Sequence, residues 1–236
     1  MIMDKDGMLN QIFVSEGEKY GYNEVTAGFS PEKNLKVSWI RTGTWIDIWL
    51  SDYLEDAPKD VLRSVAETVY RRLCMHTREP YSDDLVEYVT GEMFLERNRP
   101  MYLSRISGVS KSSKGRHHDL MKSYKRLVEK GMTEYDPDLV LRWAPQWDGK
   151  TAGQGSVLMK TICLNRRLDC AYIPDDLIDF ALYSQLAFVN EGFDEDPSEN
   201  MKNAKKIVEG HPDYKEMVRN LKQMGLTLWS DVSPAD

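Results

Sequence analysis

Residues 174–190 impose the strongest constraint on the fold, because they predict a helix that is apolar on nearly every side. Pro174 is favoured in the first turn of a helix, where a backbone N–H would have no intrahelical partner. The apolar residues that follow do not keep to one stripe: they are Leu177, Ile178, Phe180, Ala181, Leu182, Leu186, Ala187, Phe188 and Val189. A helix of this kind is stable in water only when other elements surround it. The C-terminal half is therefore expected to fold around this helix.

The bulk composition is that of a globular protein. The chain has 236 residues, 41% of them hydrophobic and 29% charged, which suffices for one large domain or two small ones. No apolar run reaches the roughly 18 residues of a membrane span, and the N-terminus lacks the layout of a secretory signal, so no membrane partner is expected. The three cysteines, Cys74, Cys163 and Cys170, cannot all pair with one another. They are expected to be buried or free thiols in a reducing cytoplasm.

Residues 1–105 are predicted to form an N-terminal α+β region. Glycines and Pro31 interrupt any period in residues 1–34, which are expected to be irregular apart from a short strand near 25–29. Residues 35–50 are rich in β-branched and aromatic side chains on both sides of a short turn, which predicts a β-hairpin. Apolar residues at i, i+3 and i+4 spacing then predict two helices, over residues 58–75 and 82–97.

Two tryptophans of the predicted hairpin share one face. Trp45 and Trp49 lie four residues apart, so they point to the same side of a strand. Two interpretations remain open. The pair forms core between the hairpin and the helices, or it forms an exposed aromatic face that stacks on nucleic-acid bases or docks a protein.

Residues 117–229 are predicted to form a second domain, followed by a tail over residues 230–236. Its elements are expected to be a helix over 118–130, strands over 138–143 and 156–165 separated by a turn-rich segment, the apolar helix, and helices over 199–209 and 212–224. The fold class is α+β, with a small mixed sheet packed on the buried helix and preceded by the β-hairpin plus helices.

The two halves carry a similar pattern. Leu50 and Leu54 are followed by Pro58 and a predicted helix, and Leu164 and Leu168 are followed by Pro174 and a predicted helix. This repetition is consistent with a duplicated unit. A strand that leads into a helix begun by proline is also common, so the pattern alone leaves both interpretations open.

Residues 97–126 form a basic segment within an acidic chain. They contain nine Lys or Arg residues and one Asp, a net charge of +8, which leaves −15 for the rest of a chain whose net charge is −7. Such a segment favours an anionic partner, nucleic acid or an acidic protein surface; the candidate binding residues are Arg105, Lys111, Lys114 and Arg116. Residues 106–116, rich in Ser, Gly and Lys, are also typical of a flexible, solvated linker.

Residues 184–188, Ser-Gln-Leu-Ala-Phe, occupy the place of a zinc-protease motif without its chemistry. In an HExxH helix the two histidines bind zinc from one face and the glutamate is the general base. The surrounding framework consists of residues 162–168 (ICLNRRL), Pro174, residues 182–188 (LYSQLAF) and His211-Pro212-Asp213-Tyr214. On these residues the region 117–229 resembles the SprT-like zincin domain, including the related YgjP-type metallopeptidases.

The resemblance implies a zincin-like fold from which the catalytic groups are missing. Ser184 stands in the place of the first His, Gln185 in that of the Glu and Phe188 in that of the second His, while His211 is the one ligand-type residue retained. No catalytic residue, metal or cofactor is therefore expected. An alternative is a rebuilt site in which acidic residues join His211 to hold Mg²⁺ or Mn²⁺; these residues are Glu191, Asp194, Glu195, Asp196 and Glu199.

Three functions are consistent with these observations. The first is a catalytically inactive metallopeptidase-like protein, a pseudoenzyme, that binds a protein partner as an adaptor or assembly factor. The second is association with DNA or another nucleic acid through residues 97–126. The third is a divalent-metal hydrolase with a non-standard site.

Overall fold

The computed structural model describes residues 4–75, 79–144 and 149–229. The predicted tail and part of the turn-rich segment lie outside these residues. Helices and two small mixed sheets make up the described chain, which confirms the α+β class. No described helix is long and apolar enough to cross a membrane. The chain divides into two compact units, unit 1 over Met1–Asn98 and unit 2 over Arg99–Asp236, whereas the sequence analysis puts the boundary after residue 105.

Unit 1 contains a helix, three strands and further helices. The elements are α1 (Lys5–Glu18), β1 (Glu24–Ser30), β2 (Val37–Thr42), β3 (Trp45–Ser51), a 3-10 turn (Asp52–Leu54), α2 (Lys59–Met75), α3 (Asp83–Thr90) and α4 (Glu92–Ser104), the last of which runs past the end of the unit. The hairpin β2–β3, the helix α2 and the short strand β1 agree with the sequence predictions.

The prediction that residues 1–34 are irregular before the strand is wrong, because α1 occupies Lys5–Glu18. Asp4 caps this helix by accepting a hydrogen bond from the backbone N–H of Gly7 at 3.0 Å. Gly17 does not break α1, since its missing side chain admits Tyr70: a Cβ there would lie 2.6 Å from the Tyr70 hydroxyl oxygen. Tertiary packing therefore overrides the low helix propensity of glycine.

The single helix predicted over residues 82–97 is also wrong, because two helices cover this region. Ser82 caps α3, and Gly91 ends it in an extended conformation with φ −72° and ψ 153°. α4 then begins at Glu92 and continues to Ser104, beyond the predicted end. The apolar period continues across Gly91, which explains why the sequence pattern suggests one helix.

The sheet of unit 1 has the strand order β1-β3-β2, with β1 parallel and β2 antiparallel to β3. Ile46, Ile48 and Leu50 of β3 are fully buried. Because side chains alternate along a strand, Trp45 and Trp49 lie on the opposite face, where they are half-buried. The two tryptophans are therefore not part of the buried core of β3.

Unit 2 is built around the predicted apolar helix. Its elements are α5 (Leu120–Glu129), β4 (Val140–Ala144), β5 (Gly153–Ser156), β6 (Thr161–Asn165), a 3-10 turn (Arg166–Leu168), α6 (Asp175–Val189), α7 (Pro197–Glu209) and α8 (Tyr214–Gln223). Eleven of the fifteen residues of α6 are buried, and α6 packs against α5, α7, α8, β5 and β6. The prediction of a central helix is confirmed.

The strand β5 is missing from the sequence prediction, which treats residues 153–155 as part of the turn-rich segment. The strand predicted over residues 156–165 is too long, because residues 157–160 form a turn and β6 begins at Thr161. The sheet has the order β4-β6-β5, with β4 parallel and β5 antiparallel to β6. Gly153 and Gly155 are used here for close approach to α6. A Cβ at Gly155 would lie 2.7 Å from Cγ2 of Val189, and one at Gly153 would lie 3.1 Å from Cγ of Gln185. These glycines thus mark a strand packed tightly on a helix.

The two units share one topology, as the repeated sequence pattern suggests. Each has a helix, three strands, a 3-10 turn and a second helix, and in each the third strand lies in the middle between one parallel and one antiparallel neighbour. The paired leucines of the repeat, Leu50, Leu54, Leu164 and Leu168, are all buried. The shared topology favours the interpretation of a duplicated unit.

Candidate functional site

The residues at the protease-motif positions belong to the core of unit 2. Ser184 is fully buried, and its hydroxyl donates to the carbonyl oxygen of Ala181 at 2.8 Å. Gln185 is 2% exposed, and its Nε2 donates to the carbonyl oxygen of Leu228 at 3.2 Å and to the Ser184 hydroxyl at 3.3 Å. The polar atoms of both side chains therefore serve internal packing.

Phe188 and the glycines of β5 pack together beside Ser184 and Gln185. Phe188 is half-buried against the hydrophobic core of unit 2. A Cβ at Gly155 would lie 3.7 Å from Cδ1 of Phe188, so the backbone of β5 runs directly over this part of α6. Side chains are packed where the resemblance would put a metal and its bound water.

His211 lies beyond the end of α7 and has its own partners. Its Nδ1 accepts a hydrogen bond from the backbone N–H of Asp213 at 3.1 Å. Its ring packs against the rings of Phe180 and Tyr183, with centroids 5.2 Å and 5.8 Å away. The ring is thus held by aromatic packing and by a local turn.

The acidic residues proposed to rebuild a metal site are engaged locally. Glu191 accepts from Nδ2 of Asn203, Asp194 accepts from the N–H of Asp196, Asp196 caps α7, and Glu199 pairs with Lys202. Among residues 4–75, 79–144 and 149–229, no three His, Cys, Asp or Glu side chains are grouped closely enough to hold a metal ion. The structure does not bring this acidic cluster together with His211.

The serine- and lysine-rich part of the basic segment is attached to unit 2. Ser110 and Trp143 exchange two hydrogen bonds, from the Ser110 N–H to the Trp143 carbonyl at 2.9 Å and from the Trp143 N–H to the Ser110 hydroxyl at 2.8 Å. The indole Nε1 of Trp143 also donates to the carbonyl oxygen of Ser113 at 2.9 Å. The segment has no helix or strand around these residues, but it is anchored rather than free.

Asp169 is the second anchor of this segment. Its carboxylate accepts hydrogen bonds from three successive backbone N–H groups, those of Arg116, His117 and His118, at 2.5, 2.9 and 3.0 Å. Gly115 leaves room for this contact, since a Cβ there would lie 2.5 Å from a carboxylate oxygen of Asp169. The loop before α5 is thereby fixed to the connection between β6 and α6.

The pKa of Asp169 reflects this anchoring. Burial acts to raise the pKa of its carboxyl group, but the three backbone hydrogen bonds and the electrostatic interaction with His118 together outweigh burial, so the pKa lies below its ordinary value. A carboxyl group with a depressed folded-state pKa stabilises the fold fully above its unfolded-state pKa of about 3.9, and this stabilisation is lost as the pH falls through the folded-state pKa. The anchor is therefore intact at neutral pH.

A cavity of about 920 Å³ opens beside this anchored loop. We call it the cationic cavity; it is lined by Lys114, Gly115, Arg116, Arg166, Arg167, Asp169, Cys170, Tyr172, Gln223 and Met224. Its four basic side chains come from two segments, the loop before α5 and the 3-10 turn after β6, and all four are exposed to solvent. Within the described chain none of the four forms an ion pair.

Of the four basic residues predicted to bind an anionic partner, two line this cavity and two do not. Lys114 and Arg116 belong to the lining, whereas Arg105 and Lys111 are absent from it. Sequence reasoning missed Arg166 and Arg167, which it treats only as part of the framework motif. The sequence feature that could have identified them is their position directly after the central strand β6. Residues in the connections at the end of a sheet often carry binding functions.

Gly115→Ala is expected to destabilise unit 2 by about 2 kcal/mol, because the new methyl group would displace the Asp169 carboxylate from its backbone donors. Urea denaturation followed by circular dichroism measures the loss. Gly28→Ala is the matched control, since a Cβ there meets no atom closer than 3.7 Å. Equal midpoints for the two variants would contradict the role given to Gly115.

Comparisons of the chain with protein-family models, with curated proteins and with solved structures find no match.

Proposed function

We propose that this protein is a non-proteolytic nucleic-acid-binding protein that holds phosphate groups in the cationic cavity of unit 2. The observation that carries the proposal is the convergence of Lys114, Arg116, Arg166 and Arg167 on one cavity. Unit 2 would act as a scaffold that presents these side chains, while the protease-motif positions of α6 serve its packing.

The charge balance of the cavity favours a polyanion. The one carboxylate in the lining, that of Asp169, already accepts three backbone hydrogen bonds and contributes little free acceptor capacity. The lining thus carries four positive charges against one negative charge, and this excess of positive charge favours an anion. Three of the four are arginines, whose planar guanidinium groups match phosphate oxygens in bidentate geometry. A nucleic-acid backbone supplies several such phosphates at regular spacing.

The proposal keeps the SprT-like, zincin-like interpretation of unit 2. A helix, a small mixed sheet, a turn and a buried helix follow one another in the order that the resemblance implies, which supports a zincin-like scaffold. The buried hydrogen bonds of Ser184 and Gln185 support the loss of metalloprotease chemistry at these positions. An anion-binding surface on such a scaffold would allow the protein to bind a ligand without hydrolysing it.

Reversal of two cavity charges tests the proposal. Arg166→Glu/Arg167→Glu is expected to weaken the binding of a fluorescein-labelled oligonucleotide on the order of 100-fold at about 50 mM NaCl, because attraction to two phosphates becomes repulsion. Fluorescence anisotropy measures the dissociation constant. Both arginines are exposed, so the variant is expected to retain its circular dichroism spectrum and unfolding midpoint.

The matched control is Lys122→Glu/Lys125→Glu. It makes the same change of charge within the basic segment, on exposed positions of α5 that do not line the cavity. We expect it to weaken binding less than about 5-fold, through long-range electrostatics alone. Equal losses in the two variants would contradict a defined site and would favour diffuse attraction to residues 97–126.

A protein partner is the second candidate, and the sheet of unit 1 favours it. On the edge strand β2, Trp39 and Ile40 are 42% and 57% exposed, and Trp45 and Trp49 add half-buried aromatic surface on the neighbouring strand. An exposed apolar edge strand is suited to pairing with an extended segment of another protein. If the protein bound no oligonucleotide at low salt, this adaptor or assembly role would be the better proposal.

A further inference from the structure

Tyr172 gives the cationic cavity a feature that phosphate binding alone does not require. Its side chain is 80% exposed although it lines the cavity beside four basic residues. A large aromatic ring that remains in water contributes nothing to the core, so its position is not explained by the stability of unit 2. An exposed ring next to cations is the arrangement that single-strand-binding proteins use, with stacking on the base and charge on the backbone.

The backbone that carries Tyr172 is fixed on both sides. Ile173 is buried, and its N–H donates to the carbonyl oxygen of Cys170 at 3.0 Å. The same carbonyl oxygen lies 3.0 Å from Nε2 of His118, and Asp169 is held by its backbone donors. Because the backbone of this short connection is already held by hydrogen bonds, little further ordering of the backbone is needed when a ligand stacks on the ring.

The hydroxyl group of Tyr172 stays protonated at neutral pH. The neighbouring Cys170 raises the pKa of this hydroxyl group above its ordinary value. The ring is therefore neutral at physiological pH and adds no negative charge to oppose a phosphate. The lining then carries four positive charges against the single negative charge of Asp169, an excess that favours an anionic, aromatic ligand.

The geometry points to single-stranded nucleic acid as the ligand, with an unpaired base stacked on Tyr172 and its flanking phosphates on Arg116, Arg166 and Arg167. This inference rests on the proposed function and narrows it. The cavity of about 920 Å³ is large enough to admit a nucleotide. A base inside a duplex is covered on both faces by its neighbours, so an internal base pair presents no face to the ring.

The lining also indicates that the site tolerates any base sequence. Gln223 is the one side-chain amide in the lining, and the Asp169 carboxylate is occupied by backbone donors. Reading a base requires several donors and acceptors aimed at its edge. Stacking on a ring and contact with phosphates do not depend on base identity.

Fluorescence anisotropy with three probes tests the inference: a thymine single strand, a uridine single strand and a mixed-sequence duplex, each of about 20 nucleotides or base pairs, at about 50 mM NaCl. The full-length protein is expected to bind both single strands at least about 10-fold more tightly than the duplex. Tyr172→Ala is expected to weaken single-strand binding by about 5- to 150-fold, the factor that stacking of one base supplies, and to leave duplex binding unchanged. Tyr172→Phe keeps the ring and is expected to bind within about 3-fold of the unaltered protein.

Tyr135→Ala is the control for loss of an exposed ring. Tyr135 is 61% exposed and does not line the cavity. The stacking inference would be overturned if Tyr172→Ala bound single strands as tightly as Tyr135→Ala. It would also be overturned if the unaltered protein bound the duplex as tightly as single strands. If Arg166→Glu/Arg167→Glu still lowered binding in that case, the proposed function would stand. If that charge reversal had no effect either, the proposed function would fail with it.

Discussion

Gln185→Glu is expected to destabilise unit 2 by about 3 kcal/mol at neutral pH. The Gln185 amide donates to the Leu228 carbonyl oxygen from a position that is 2% exposed. A carboxylate has no hydrogen to donate, so it would face that carbonyl oxygen across a buried contact and would bury an unpaired charge. The SprT-like resemblance would align this position with the glutamate of an HExxH helix, so the substitution separates a packing role from a catalytic one.

The size of this loss is expected to depend on pH. Burial raises the folded-state pKa of the introduced carboxyl group above its unfolded value of about 4.3, so stability falls as the pH rises and the variant is closest to the parent protein in acid. Urea unfolding at pH 5 and pH 8 measures the difference. Gln11→Glu makes the same change at an exposed position of α1 and is expected to stay within about 0.5 kcal/mol. If Gln185→Glu changed the free energy of unfolding as little as this control, the role of the Gln185 amide in the core would be contradicted.

Asp179→Ala is expected to remove about 3 kcal/mol of stability, because it breaks the ion pair that joins α5 to α6. The Asp179 side chain is 5% exposed and binds Arg126 through two hydrogen bonds, with Nε at 2.9 Å and Nη2 at 2.6 Å. The hydrogen bonds that Arg126 donates to the Asp179 carboxylate raise the pKa of Arg126 above its ordinary value. Removal of Asp179 takes away the buried carboxylate partner of Arg126, whose side chain is 30% exposed, and leaves it with the solvent-exposed carboxylate of Asp175.

A neighbouring aspartate provides the comparison for this variant. Asp175 also lies near Arg126, at 3.3 Å from Nη1, but its side chain is 60% exposed. Asp175→Ala is expected to change the free energy of unfolding by less than about 1 kcal/mol, as for exposed ion pairs. A double-mutant cycle with Arg126→Ala measures the coupling of each aspartate to the guanidinium group. Equal coupling energies would contradict the dominance of the buried pair.

The elements that the sequence predicts well are those whose apolar pattern is set by burial. α6 is apolar on nearly all sides and is the centre of unit 2, and the hairpin of unit 1 follows from its β-branched and aromatic residues. The errors cluster at glycines. Gly17, Gly91, Gly153 and Gly155 look alike in a sequence, yet one lies within a helix, one ends a helix and two allow a strand to touch α6. The neighbours that decide between these roles are distant in the chain.

The candidate site was predictable in part. Lys114 and Arg116 stand out because the surrounding segment is basic, whereas Arg166 and Arg167 follow a buried strand in a stretch of mixed charge. About fifty residues separate the two pairs, and the contact that unites them is the capture of three backbone N–H groups by Asp169. A contact between a carboxylate and backbone N–H groups leaves no periodic pattern in the sequence. The contact made by Asp169 could therefore not be predicted from the sequence.

We propose that the four basic residues of the cationic cavity bind the nucleic-acid backbone, and that the basic segment 97–126 as a whole does not. The most direct test is the salt dependence of single-strand affinity, measured for the unaltered protein and for Arg166→Glu/Arg167→Glu. Each phosphate neutralised contributes about −0.7 to the slope of log K against log [NaCl], so the four cations predict a slope of about −3 and the charge reversal predicts a slope shallower by at least about 1.4. Undetectable binding at low salt, or identical slopes for the two proteins, would contradict the account.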